Sequence, residues 1–168
     1  MSVYYLYHDE KKCIACHACE VQCKVHKGLP VGPRPNQVIT VGPLRPASQL
    51  RAAFVFMACF HCEEPWCVPA CPTGAMQRRP EDGVVFVDQA LCVGCKGCIL
   101  VCPWGAPQWD SERGAVVKCD YCKDRLDAGL KPACVAACPT GALSFGRAER
   151  MPDIRRVRYA REIFASRT

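Results

Sequence analysis

Apolar positions along this chain come in short bursts, not in long periodic runs. Val3–His8, Phe54–Phe56, Val84–Val87, Val116–Lys118 and Leu143–Phe145 read as short strands. Val38–Val41 reads as one more, inside the Pro- and Gly-rich segment 28–49. Glu81-Asp82-Gly83 is a turn signal ahead of Val84. Between the strands lie loops that each close on Cys-x-x-x-Cys. That spacing fits one turn of a short helix carrying both cysteines. Three of the loops then meet a proline, which ends such a helix. Only residues 147–168 keep a helical period. Pro152 suits a first helical position and Asp153 the first turn. Ile154, Val157, Ala160 and Ile163 or Phe164 then share one side. The pattern predicts an α+β chain of short strands and short helices with a C-terminal helix.

Composition sharpens this. Sixteen of 168 residues are cysteine, and half the chain is apolar only if they are counted. Without them the apolar share is about 40%, a thin core for this length, so inorganic groups have to share in holding the fold. A disulfide scaffold fits the cysteine content. The N-terminal stretch has no apolar signal core, and no apolar run approaches 18 residues. The expectation is a cytoplasmic chain without a membrane span.

The cysteines fall in four groups of four with none left over. The first is Cys13-x₂-Cys16-x₂-Cys19-x₃-Cys23, followed by Lys24. The second is Cys59-x₂-Cys62-x₄-Cys67-x₃-Cys71-Pro72. The third is Cys92-x₂-Cys95-x₂-Cys98-x₃-Cys102-Pro103. The fourth is Cys119-x₂-Cys122-x₁₁-Cys134-x₃-Cys138-Pro139. The third group is the bacterial ferredoxin run without a departure. In such runs the first three thiolates hold one [4Fe–4S] cube and the fourth reaches the neighbouring cube. Gly94 and Gly97 let its backbone curl tightly. The expectation is four [4Fe–4S] clusters on sixteen thiolates. Groups two and four both end in Cys-Pro-Thr-Gly-Ala, and group three in the related Cys102-Pro103-Trp104-Gly105-Ala106, an internal repeat.

The crossing rule leaves two pairings of groups open. In the nested one, Cys59, Cys62 and Cys67 take Cys102, and Cys92, Cys95 and Cys98 take Cys71. The outer groups then pair: Cys13, Cys16 and Cys19 with Cys138, and Cys119, Cys122 and Cys134 with Cys23. In the adjacent one, group one pairs with two and three with four.

Other readings are weaker. Cys13-Ile-Ala-Cys16-His17 spells a c-type haem attachment, but taking those cysteines breaks the count of sixteen. Zinc ribbons use Cys-x₂-Cys pairs but need neither three in a row nor Cys-Pro endings. The formal charge is +6, yet clusters with their thiolates are anionic, so basicity does not argue for nucleic acid. His61 either donates to a sulfur or lies at the surface. Trp66 and Trp104 flank cysteines, where rings exclude water. Segment 28–49 is a surface loop or a docking surface, and residues 123–133 cover one cluster. The stretch 147–168, with seven Arg against three acids, is a helix packed on its own domain or an arm for a partner. No catalytic triad, P-loop or dinucleotide fingerprint occurs, so the chain is not expected to be an enzyme by itself.

The four groups, and the phrase from Phe60 to Ala75 in particular, resemble the four-cluster iron–sulfur subunits of molybdenum and tungsten pterin oxidoreductases. These include the dimethyl-sulfoxide reductase, polysulfide reductase and formate dehydrogenase types. The short chain also resembles the small subunit of a bacterial tungsten aldehyde oxidoreductase. The resemblance implies the nested pairing, a line of clusters and two pseudo-symmetric ferredoxin-like modules. The modules are an outer one (1–27 with 115–146) and an inner one (52–110), joined by loop 28–51 and followed by the basic arm 147–168. It also implies a pterin catalytic subunit as partner, with a flavin subunit or self-association into a wire beside it. The alternatives are a free-standing polyferredoxin carrier and a zinc scaffold.

Overall fold

The computed structural model describes residues 4–44 and 51–165. Residues 1–3, 45–50 and 166–168, which fall within the expected strand, loop and arm, lie outside the described residues. The described strands form four separate two-stranded antiparallel ribbons. β1 (Tyr4–His8) pairs with β8 (Leu143–Arg147), Leu6 opposite Phe145. β2 (Asn36–Leu44) pairs with β3 (Arg51–Ala58), Val38 opposite Phe56. β4 (Met76–Arg78) pairs with β5 (Val85–Val87), and β6 (Gln108–Asp110) with β7 (Ala115–Val117). The strand segments expected from the pattern are all present, with ends moved by a few residues. β4 and β6 are additional; three residues carry no readable period.

No ribbon is large enough to bury a face alone. Two packed centres form instead, and cysteine is part of each. Cys19, Val38, Phe56, Cys134 and Leu143 make one; Met76, Val85, Cys98 and Val116 make the other. The first centre explains β2. Segment 28–51 was expected as loop, yet its alternation turns Val38 inward onto Phe56 and leaves Ile39 and Val41 outside. The ribbon β2–β3 therefore packs inward beside Cys19 instead of forming a free surface loop.

The helices are short for a chemical reason. α1 (Ala18–Lys27) is followed by no proline and runs on past Cys23 until Gly28 caps it in the left-handed conformation. Lys24 stands where the other groups have proline, and its Nζ donates to the carbonyls of Pro30 and Pro33, the latter at 2.9 Å. α2 (Gly97–Val101) stops before Cys102-Pro103. α3 (Lys123–Asp127) occupies the gap of the fourth group, and α4 (Ala133–Ala136) ends before Cys138-Pro139. The helix expected to carry both closing cysteines is thus found only in α1. α2 and α4 carry one each, and Cys67 to Cys71 is a run of hydrogen-bonded turns.

Segments expected to belong to different modules interlock. Ribbons β2–β3 and β6–β7 each join a strand of the inner span 52–110 to one outside it. Arg79 after β4 pairs with Asp127 on α3 at 2.7 Å across the two modules, while Lys27 on α1 pairs with Asp120 and Asp124 within the outer one, both at 3.0 Å. α5 (Met151–Ala165) lies against β1 by a polar stripe: Arg158 binds the Tyr7 hydroxyl, and Glu162 binds Lys11 at 3.0 Å. Of the expected apolar side, Ile154 is half-buried and with Val157 lines a cavity against Tyr7 and Ser144, while Val157 and Phe164 stay largely exposed. Among the described residues no helix is long and apolar enough to cross a membrane.

Candidate metal centres

All sixteen cysteines are free thiols; none is in a disulfide. Each opening Cys-x-x-Cys loop turns through a left-handed residue just before its second cysteine: Ala15, His61, Gly94 and Tyr121, with φ of 51°, 47°, 69° and 53°. That conformation costs a non-glycine residue about 1–2 kcal/mol and lets consecutive cysteines converge on one side.

The convergence draws from distant segments. Cys13, Cys16, Cys19 and Cys138 line one cavity, with Val38 and Phe56 in its wall. Cys71, Cys92, Cys95 and Cys98 line a second. Cys59, Cys62, Cys67 and Cys102 line a third, of about 330 Å³, rimmed by Phe60, Trp66 and Trp104. For the remaining four, Cys23, Cys119, Cys122 and Cys134, burial and then Cys122 raise Cys23, and burial and then Cys59 and Cys134 raise Cys119. Phe60 and Trp104 meet edge to face at 5.1 Å. Trp66 and Trp104 were expected to exclude water, but they stand at an open rim and are more than half exposed.

Burial pushes most interior thiols up: Cys19 and Cys67 to about 11, Cys23 and Cys134 to about 12. Cys71 and Cys138 go the other way. Burial raises both. The N–H groups of Met76, Thr73 and Ala75 with the Thr73 hydroxyl outweigh it at Cys71, as those of Leu143, Ala142 and Thr140 with the Thr140 hydroxyl do at Cys138. The repeated Cys-Pro-Thr-Gly-Ala is therefore a nest of donors around a thiolate. Further backbone N–H groups point at sulfur, Val116 to Cys92 and Ala133 to Cys122, both at 3.5 Å.

These sites fit a cluster better than a single ion. Zinc draws sulfurs to about 2.3 Å from itself. Among the described residues no three Cys, His, Asp or Glu side chains converge on one ion position. Thiols spread around a cavity and met by N–H donors suit a four-iron cube, which takes one thiolate at each iron. His61 is not at the surface. It is 1 % exposed, its Nδ1 accepts the Val85 N–H at 2.9 Å, and its ring stacks on Tyr121. His17, the haem-like position, is bound to Glu20 at 2.9 Å.

Sequence reasoning passed over one residue in this region, Lys118. It is buried, forms part of the wall beside Cys59, Cys62, Cys67 and Cys102, and donates from Nζ to the carbonyls of Val85 and Cys119. Its place immediately before Cys119 was the available signal.

Two 4Fe-4S dicluster domain families match the sequence, one over residues 50–148 and one over 12–75. The protein belongs to this family of 4Fe-4S dicluster proteins, whose clusters carry electrons. The two matches overlap over residues 50–75 and between them cover all sixteen cysteines. Among its relatives is the thiosulfate reductase electron transfer subunit PhsB of Salmonella typhi, 45% identical over 86% of this chain and 76% of that one. The B subunit of the anaerobic dimethyl sulfoxide reductase of Escherichia coli K12 is 41% identical over 82% of this chain and 70% of its own. The B subunit of the polysulfide reductase of Wolinella succinogenes is 43% identical over 85% and 75%.

Proposed function

We propose that this chain is the electron-relay subunit of a molybdenum- or tungsten-pterin oxidoreductase and holds four clusters on nested cysteine sets. Cys13, Cys16, Cys19 and Cys138 hold one; Cys23, Cys119, Cys122 and Cys134 the next. Cys59, Cys62, Cys67 and Cys102 hold the third, and Cys71, Cys92, Cys95 and Cys98 the last. The observation that carries this reading is the mixed lining of the cavities: three cysteines of one group with the fourth of another. Bound clusters supply one-electron chemistry over a wide range of potentials.

The chain's own elements support a row of these sets. α1 carries Cys19 of one set and Cys23 of the next. Cys119 feels Cys59 across the junction, which links the second set to the third. The turns from Cys67 to Cys71 tie the third to the last. The repeated loops support two pseudo-symmetric ferredoxin-like modules. Sixteen free thiols agree with a reducing, cytoplasmic setting. A flavin subunit at the far end, an aldehyde oxidoreductase partner and self-association into a wire are extensions of the same reading.

The test is iron and sulfide analysis with EPR of the reduced chain, then purification from its native host. About sixteen iron per chain and a co-purifying pterin subunit are expected. Full cluster content without any pterin partner supports the free carrier instead. Stoichiometric zinc in place of iron overturns the reading.

A further inference from the structure

The wall around Cys59, Cys62, Cys67 and Cys102 contains one buried charged side chain, Lys118, 7% exposed. Its hydrogen-bond partners are neutral: the carbonyl of Val85, and that of Cys119 at 2.6 Å. Among the described residues no carboxylate pairs with it; the nearby ion pairs run through Lys27 and Arg79. Taking an ammonium out of water costs several kcal/mol, and buried charges are kept where an opposite charge meets them. Two carbonyls use two of its three N–H bonds and supply no net charge. The sulfurs of Cys59, Cys62, Cys67 and Cys102 share its cavity wall.

Val85 explains how the side chain is held. β5 pairs with β4 on one side only. The outer N–H of Val85 goes to His61 Nδ1, and its outer C=O goes to Lys118 Nζ. Both clamping residues come from cysteine loops, one beside Cys62 and one beside Cys119. The ammonium is therefore fixed at the junction between two cysteine sets, and Lys118 lines the cavity of Cys59, Cys62, Cys67 and Cys102 on one side and a polar one with Asp88 and Asp120 on the other.

We propose that Lys118 is the built-in counter-charge of the cluster on Cys59, Cys62, Cys67 and Cys102, and that it raises that cluster's reduction potential above the value the four thiolates alone would set. The proposal rests on the cluster reading given above. A fixed positive charge in a wall of low dielectric favours the state with one more electron. Lys118 is a positioning residue in this role. It makes the third set in the row a place where an arriving electron rests, and it splits the potentials of the two middle sites.

The test uses the full chain loaded with iron and sulfide, and EPR-monitored redox titration of wild type, Lys118→Met and Lys118→Arg. Iron is counted first; a wild type short of four clusters fails the cluster reading, not this proposal. In Lys118→Met one midpoint falls by at least tenfold in its equilibrium constant, about 59 mV for one electron. It is the midpoint that Cys67→Ser also removes. Lys118→Arg keeps the charge and stays within threefold of wild type. Unchanged midpoints in fully loaded Lys118→Met overturn the proposal, as does a shift confined to the signal that Cys98→Ser removes. A purely structural lysine would lower the melting temperature without moving a midpoint. If Lys118→Met does not load, wild type grown on ¹⁵Nζ-lysine is read by pulsed EPR. A nitrogen coupling that Lys118→Arg loses is expected, and its absence overturns the proposal.

Discussion

His61 stacks on Tyr121 with ring centroids 3.7 Å apart and planes 29° from parallel. The two residues are sixty positions apart in the chain. Each precedes the second cysteine of its group, each has a left-handed backbone, and both are buried. Corresponding points of two cysteine loops thus meet face to face, and the meeting joins the second group to the fourth. Tyr121 also packs edge-on against Phe145 of β8 at 5.2 Å, so the stack continues into the β1–β8 ribbon.

Removing the ring should loosen that junction. Tyr121→Ala is expected to destabilise the loaded chain by about 3–5 kcal/mol, the usual cost of emptying a buried aromatic site. Thermal unfolding followed by circular dichroism checks it. A loss below about 1 kcal/mol would mean that the stack contributes little beyond area.

The nested assignment makes a sharp claim about Cys102. Cys102→Ser should reproduce the EPR change of Cys67→Ser and differ from that of Cys98→Ser, its neighbour in sequence. Cys102 shares a cavity with Cys67, and Cys98 lies on the next one. Matching spectra of Cys102→Ser and Cys98→Ser would refute nesting.

Thr140 places its hydroxyl 3.8 Å from Cys138, whereas the Thr73 hydroxyl, 3.7 Å from Cys71, donates to the Leu91 carbonyl at 2.7 Å. Donors to a thiolate favour added negative charge. Thr140→Val should lower the potential of one terminal cluster by up to roughly 40 mV, equivalent to a hydrogen bond of about 1 kcal/mol, and Thr73→Val should shift the other by less. The two middle clusters should not move. Redox titration of both variants reads this directly.

Gly94 has φ of +69°, and a Cβ there would stand 2.8 Å from the Gly114 carbonyl and 3.0 Å from Trp109. The backbone oxygen cannot step aside as a flexible side chain would. Gly94→Ala should therefore cost more than the about 1–2 kcal/mol of left-handed strain alone and reduce iron at the site of Cys92, Cys95 and Cys98. Iron per chain and melting temperature are the readouts. Gly105, with open space around its Cβ position, is the control for strain without a clash.

Removing iron should unfold more than the sites. Cysteines belong to both packed centres, and burial raises several of the thiols. Metal binding and folding are coupled where ligands make up the core. Chelation under reducing conditions is expected to abolish protection from proteolysis across residues 4–147, not only in the cysteine loops. An iron-free chain that kept its protection would show that the ribbons hold themselves.

Much of the site was legible from spacing. Three cysteines of a group lie within seven residues in groups one and three, so local geometry alone brings them to one cube. The Cys-Pro endings gave the helix stops, because a proline acts on its own neighbours. The β2–β3 ribbon was half legible: the apolar run at Val38–Val41 was visible, but its partner strand was not. Which way Val38 faces depends on Phe56 and Cys19. The face of α5 was half legible: Ile154 and Val157 share a side and line the cavity against Tyr7 and Ser144. The polar contacts of Arg158 and Glu162 with Tyr7 and Lys11 are what only packing reveals.

By itself the sequence determined the chemistry: sixteen thiolates in four groups, their cubes and a one-electron task. Those follow from bond lengths and loop spans, which are local. Tertiary structure decided that cysteines of distant groups line shared cavities, that His61 is buried against Tyr121, and that Lys118 stands in the wall beside Cys67. Each of these joins segments tens of residues apart. The physical reason is that a distant pair meets only once the intervening residues have packed, and no spacing rule carries that information.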